Sequence, residues 1–191
     1  MKSSYNTNIH YGDLLSFITW NKNPSSIVEI GILEGFSLKT FCDFSDRTCN
    51  IRAYDIFQEF NGNGANEELL KETFKDESKA TIEYGDFYKL KDQLQDNSID
   101  ILHIDIANNG NVYEYVFQHY ISKIKKDGII ILEGGSSERD QVEWMNKYNK
   151  PKIVPVLEKY NQQFDIITIG EIPSISIVKL KNKHSNNKKL K

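Results

Sequence analysis

Five acidic residues stand where short apolar runs end or are about to end, and each is of a type that can do chemistry. Glu29 lies two residues before a glycine in Val28-Glu29-Ile30-Gly31-Ile32-Leu33-Glu34-Gly35-Phe36-Ser37. Asp55 ends the run IRAYD, Asp86 follows TIEYG, Asp105 follows IDILHI and Glu133 follows GIIIL. A carboxylate at such a place can accept the two hydroxyls of a ribose, balance a cationic group or take up a proton. The glycine turn carries the strongest local signal. Gly31 ends a strand and lets a ligand approach the backbone, and Gly35 opens a helix whose N-terminus favours a bound group. The spacing is G-x-x-x-G, not the G-x-G-x-x-G of a dinucleotide turn, and a cationic or zwitterionic ligand explains Glu29 better than a pyrophosphate. Each acid alone has an ordinary use as a helix cap. Acids on successive strands are the argument for a site, because open parallel sheets bind ligands beyond their carboxyl ends.

The elements that would position them alternate. Runs 26–31, 51–56, 81–85, 99–104 and 128–132 read as strands, and stretches near 11–20, 35–44, 67–75, 113–125 and 137–150 read as helices. In 113–125, Tyr113, Val116, Phe117, Tyr120, Ile121 and Ile124 recur at helical spacing. The polar segment 58–66, with NGNG, reads as a loop, and so does 151–163. Alternation of this kind predicts a parallel sheet covered by helices on both faces. The runs 164–169 and 174–180 are separated only by GEIP, so they form an antiparallel hairpin, since a parallel crossover takes a dozen or more residues. The expected fold class is therefore α/β: a Rossmann-like seven-stranded sheet of five parallel strands plus a C-terminal antiparallel hairpin. One domain, 1–180, precedes a lysine-rich flexible tail, 181–191.

Composition narrows the function classes. The 191 residues are 39% hydrophobic and 27% charged, enough for one packed domain. No apolar run reaches the roughly 18–20 residues of a membrane span. The start, MKSSYNTNIHYGD, has neither the apolar core nor the cleavage site of a secretory signal. Cys42 and Cys49 make neither a disulfide framework nor a CxxC metal pair, so a cytoplasmic setting is expected. The last 13 residues hold six lysines and no acid, leaving 18 basic and 27 acidic side chains, a net of −9, in residues 1–178. Such a body does not suit a nucleic-acid face.

With the order of motifs in place, the chain resembles the class I S-adenosylmethionine-dependent methyltransferases over about residues 26–180. Within that superfamily VEIGILEGFS, IDILHID and KKDGIIILE are most similar to small O-methyltransferases of the macrocin or catechol kind. The resemblance implies S-adenosyl-L-methionine as cofactor. Glu29, Gly31, Gly35 and Ser37 would surround its methionine portion, Asp55 and Ile56 its ribose, and Asp86 with Phe87 its adenine. Asp105 would complete that set. The implied acceptor is a small-molecule or sugar hydroxyl, and a homodimer is the assembly to consider.

The departures from the family pattern matter as much. Relatives of the macrocin type follow the fourth-strand aspartate with glycine and soon a histidine, whereas this chain reads Asp105-Ile106-Ala107-Asn108-Asn109-Gly110. They end strand five with aspartate, and here it is Glu133. A magnesium site from Asp105, Glu133 and Asn109 is one reading, since all are oxygen ligands for a hard cation. Hydrogen bonding to the cofactor and the loop backbone is the other. Asp105 is the first candidate for a catalytic base and Glu133 the second, while His103, inside an apolar strand, reads as a buried structural histidine. Ser136 or Ser137 would cap a following helix, and Arg139 would face solvent in a substrate-recognition loop. Two alternatives stay open: a catalytically silent cofactor-binding protein, and an N-methyltransferase, although its Asn/Asp-Pro-Pro-aromatic motif does not occur after strand four.

Overall fold

A computed structural model describes residues 10–60 and 62–181; the lysine-rich tail beyond Lys181 lies outside the described residues. Seven strands form one sheet: β1 (Ser26–Ile30), β2 (Asn50–Asp55), β3 (Ala80–Tyr84), β4 (Ile99–Ile104), β5 (Ile124–Glu133), β6 (Phe164–Gly170) and β7 (Ser174–Leu180). Their order across the sheet is β3-β2-β1-β4-β5-β7-β6. The first five run parallel, and β7 joins β5 antiparallel and pairs with β6 as the expected hairpin. The hairpin folds back so that its second strand, not its first, meets β5. Every residue of β4 is buried, as a central strand covered on both faces requires.

Side chains alternate between two cores. On one face Val28, Ile30, Leu102, Ile104, Ile130 and Leu132 pack under α4 (Phe87–Leu90), α5 (Gly110–His119) and α7 (Val154–Tyr160). On the other, Ile27, Ile51, Ala53, Ile101 and Ile131 pack under α1 (Tyr11–Lys22), α2 (Phe36–Phe44) and α3 (Glu67–Thr73). Leu15 and Ile18 of α1 belong to this second core, so α1 supports the sheet. Burying whole Ile, Leu or Val side chains is worth about 1.5–3 kcal/mol each, which is what fixes the strand register.

Three elements differ from the periodicity reading. The segment 113–125 is α5 followed by a 3₁₀ turn at Ile121–Lys123, and Ile124 already begins β5. Ile121 and Ile124 pack against the core as a helix would have placed them, so spacing alone did not separate the two. The segment 137–150 is not one helix but a 3₁₀ turn, Arg139–Gln141, and the short α6 (Glu143–Lys147). Residues 151–163, expected as loop, contain α7. Pro155 falls in its first turn, where the missing N–H costs nothing, and the Asp140 carboxylate accepts from Ile153 N at 2.7 Å and Val154 N at 2.9 Å.

Candidate active site

The parallel register brings the acids together. Ile30 pairs with Tyr54 and with Ile104, and Ile104 pairs with Leu132. The next residue on each strand therefore stands in one row across the carboxyl end of the sheet: Asp55, Gly31, Asp105, Glu133. The ladder continues into that row, with Gly31 N donating to Tyr54 O at 2.8 Å and Asp105 N to Ile30 O at 3.0 Å. Ser37, Ile56, Asp86 and Phe87 follow the same strand ends on α2, the β2–α3 loop and α4.

The glycine turn owes its glycines to protein atoms. Gly31 has φ +92° and passes so close to the end of β4 that a Cβ there would lie 2.0 Å from Asp105 O. Gly35 has φ +85°, and its missing Cβ leaves room for the Phe74 ring of the segment after α3. Between them Leu33 also adopts a left-handed backbone, φ +50°, with its side chain exposed. A bulky residue held so is strained, and such strain concentrates at ligand-binding turns.

Asp55 ties two loops. Its Oδ2 accepts from Ile32 N at 2.8 Å in the glycine turn, and its Oδ1 accepts from Phe57 N at 2.8 Å and Asn63 Nδ2 at 2.6 Å. One acceptor position on Oδ2 is left for a ligand. Glu29 lies a step below this row and is fully buried. Its Oε1 accepts from Ser37 Oγ and stands 3.0 Å from His103 Nδ1, while Oε2 has no partner among the described residues. His103 is thus the structural histidine its position suggested, with Phe41 against its ring edge.

Asp86 caps α4, accepting from Tyr88 N at 2.9 Å, and pairs with Lys89 at 3.2 Å. The structure places the ring of Phe87 inside the core, stacked on Tyr120 with centroids 5.3 Å apart, and not over the cleft. The exposed aromatics beside Asp86 are Tyr84 and Tyr88, each two residues away.

At the β4–β5 end the expected metal ligands have other employment. Asn109 Oδ1 caps α5 by accepting from Asn111 N at 2.9 Å. Glu133 is held on both oxygens by Arg139, with Nε at 2.6 Å and Nη2 at 2.9 Å. The Glu133 carboxyl is held above its usual range: burial raises it by more than the Arg139 bonds and charge lower it, and the nearby Asp105 charge adds to the rise. Asp105 itself is exposed, and its carboxylate has no hydrogen bond or ion pair among the described residues. No group of three or more His, Cys, Asp or Glu suited to a metal occurs among the described residues. A magnesium site from Asp105, Glu133 and Asn109 does not fit this arrangement, because Arg139 already grips both Glu133 oxygens and Asn109 caps α5, and of the three only Asp105 has a carboxylate or amide oxygen set with no partner among the described residues.

Arg139 is also a correction of place. It is 6% exposed, not solvent-facing, and the Trp144 ring lies 5.2 Å from its guanidinium carbon. Ser136 does cap this turn, accepting from Arg139 N at 2.9 Å. One signal in the sequence could have found the pair. In a chain with 3 arginines among 24 basic residues, an arginine six residues after a strand-ending glutamate marks a place for a planar two-pronged donor.

A family model for a methyltransferase domain matches residues 28–133, from the start of the glycine turn to Glu133. The chain belongs to this family and is an enzyme of the class I, S-adenosylmethionine-dependent methyltransferases. No individually curated protein matches it by sequence. Among solved structures it is similar to the O-methyltransferase of Bacillus cereus in complex with S-adenosylhomocysteine, at 12% identity and a TM-score of 0.67 over 94% of this chain and 84% of that one. The O-methyltransferase TomG of Streptomyces achromogenes, involved in tomaymycin synthesis and solved with S-adenosylmethionine, gives 12% and 0.66 over 92% and 82%. The S-adenosylhomocysteine-bound methyltransferase PaMTH1 of Podospora anserina gives 14% and 0.66 over 92% and 81%. At these identities the likeness is one of fold. Among the described residues no helix is long and apolar enough to cross a membrane.

Proposed function

We propose that the chain transfers a methyl group from S-adenosylmethionine to the hydroxyl of a small molecule or sugar. The observation that carries this is Asp105: an exposed carboxylate with no partner among the described residues, at the end of β4, in one row with the glycine turn on one side and Glu133 on the other. The glycine turn and Asp55 with Ile56 would hold the cofactor, whose amino group and ribose suit carboxylate partners. Its sulfonium supplies an electrophilic methyl group. Asp105 would accept the hydroxyl proton as the acceptor oxygen takes the methyl group, the sulfonium C–S bond breaks and S-adenosylhomocysteine leaves, while Glu133 beside it is held on both oxygens by Arg139. The three structural relatives named above include two O-methyltransferases, which supports an oxygen acceptor.

Positioning supplies most of the rate in such a transfer, and a base adds about 10²–10⁴-fold. Asp105→Asn is therefore expected to lower kcat by that factor, a larger loss than the change in S-adenosylhomocysteine affinity that calorimetry shows for the same variant. Full turnover in Asp105→Asn would remove the base assignment. No heat of binding in the unaltered protein would remove the cofactor assignment.

A further inference from the structure

The acceptor end of the sheet holds a fixed positive charge where the family resemblance led us to expect a metal. A divalent ion of the magnesium kind needs about six oxygen ligands at near-octahedral geometry. Of the three expected donors, Glu133 has both oxygens in a two-pronged contact with Arg139, and Asn109 Oδ1 is spent on the α5 cap. The guanidinium is held from several sides. Its Nη2 reaches Asn108 O at 3.4 Å, Trp144 covers a face, and Ser136 Oγ fixes the backbone N–H. It is nine-tenths buried, so no solvent exchange lets an entering ion take its place cheaply. Asn108 adds to the frame by donating from Nδ2 to Ile104 O at 3.0 Å and to Glu133 O at 2.9 Å, which ties the ends of β4 and β5 together.

We propose that Arg139 is the resident cation of this site: a positioning residue that neutralises Glu133 and occupies the place of a divalent metal, leaving Asp105 as the carboxylate at the β4–β5 end that has no partner among the described residues. The proposal rests on the reading of this end of the sheet as the acceptor side. It makes the enzyme independent of metal, and it makes the independence a property of one side chain. Removing the guanidinium would leave two neighbouring carboxylates unbalanced, which is the condition that recruits a cation.

Manganese is the probe, read by water-proton relaxation on the full chain with S-adenosylhomocysteine present. The unaltered protein is expected to show no manganese binding that Asp105→Asn removes. Arg139→Gln is expected to gain a site at least about tenfold tighter than any in the unaltered protein, and to lose it again in Arg139→Gln/Asp105→Asn. Arg139→Lys, which keeps the charge, is expected to gain none. Asp105-dependent manganese binding by the unaltered protein would overturn the proposal whether or not Arg139→Gln folds, and so would a folded Arg139→Gln that gains no site. A calorimetric titration of S-adenosylhomocysteine on the same samples reports separately on the cofactor reading, which fails only if that heat is absent.

Discussion

Replacing Asp55 by alanine tests whether the cofactor end of the cleft is built by one carboxylate or by the loops themselves. The substitution removes acceptors from Ile32 N, Phe57 N and Asn63 Nδ2. Hydrogen bonds to a charged group contribute about 1.5–3 kcal/mol each, and they are not additive when they share one acceptor. Ile32 and Phe57 are buried, so their amides gain little from water once Asp55 is gone. A loss of about 3–5 kcal/mol follows. For a chain of this size, where 1 kcal/mol moves Tm by about 2–4 °C, that is a fall of about 6–20 °C. Phe57 adopts φ +48°, a conformation the Asp55 contact holds in place, so part of the loss is release of that turn. Asn63→Ala removes one of the three bonds to Asp55, with Asn63's own contacts to Phe57 O at 3.0 Å and Ala65 N at 3.2 Å, keeps the charge and should cost about 1.5–3 kcal/mol. Thermal unfolding followed by circular dichroism gives the stability, and calorimetry gives the S-adenosylhomocysteine affinity. If Asp55 also receives the ribose, Asp55→Ala loses affinity and Asn63→Ala keeps most of it. A Tm for Asp55→Ala within about 3 °C of the unaltered protein, under 1.5 kcal/mol, would refute the reasoning that this carboxylate ties the two loops.

Two further outcomes follow from the packing. Gly31→Ala puts a Cβ on a φ of +92° and 2.0 Å from Asp105 O. The conformational and overpacking costs together reach at least about 3 kcal/mol, measurable by urea denaturation, and cofactor affinity should fall with them because the turn must shift. Asp100 lies at the opposite end of the sheet and accepts from Ser25 N and Oγ at 2.9 Å each, and from Lys125 Nζ at 2.8 Å. Burial alone would raise its carboxyl, but the bonds from Lys125 and Ser25 outweigh it and hold the pKa below the usual range. A depressed pKa contributes stability that is present above the unfolded value and lost as pH falls through the folded one. Asp100→Asn should thus cost about 2–3 kcal/mol at pH 7, with the gap closing below about pH 4. A gap that is the same at pH 3 and pH 7 would contradict the sign.

The sheet was legible because strands buried on both faces must be apolar throughout, and IDILHI and GIIIL leave few other readings. The hairpin was legible from a four-residue connection. What periodicity could not give was everything decided by a polar side chain reaching across the fold. Asp140 sits in the 3₁₀ turn Arg139–Gln141, and its carboxylate accepts the first amides of α7 thirteen residues on, a start signal that spacing along the chain does not show. The site divides along the same line. Positions set by strand register, Asp55, Gly31, Asp105 and Glu133, fall in one row as their places in the motifs implied. Their chemistry depends on partners that sequence spacing does not show. Glu29 is buried with His103 and Ser37, and Asp55 is already bound on both oxygens. Glu133 is matched by Arg139, which reading loops as solvent-exposed had placed outside. The row is the fold's contribution and the pairing is this chain's own. With Glu133 held by Arg139 and Asn109 capping its helix, Asp105 is the one carboxylate of the row with no partner among the described residues.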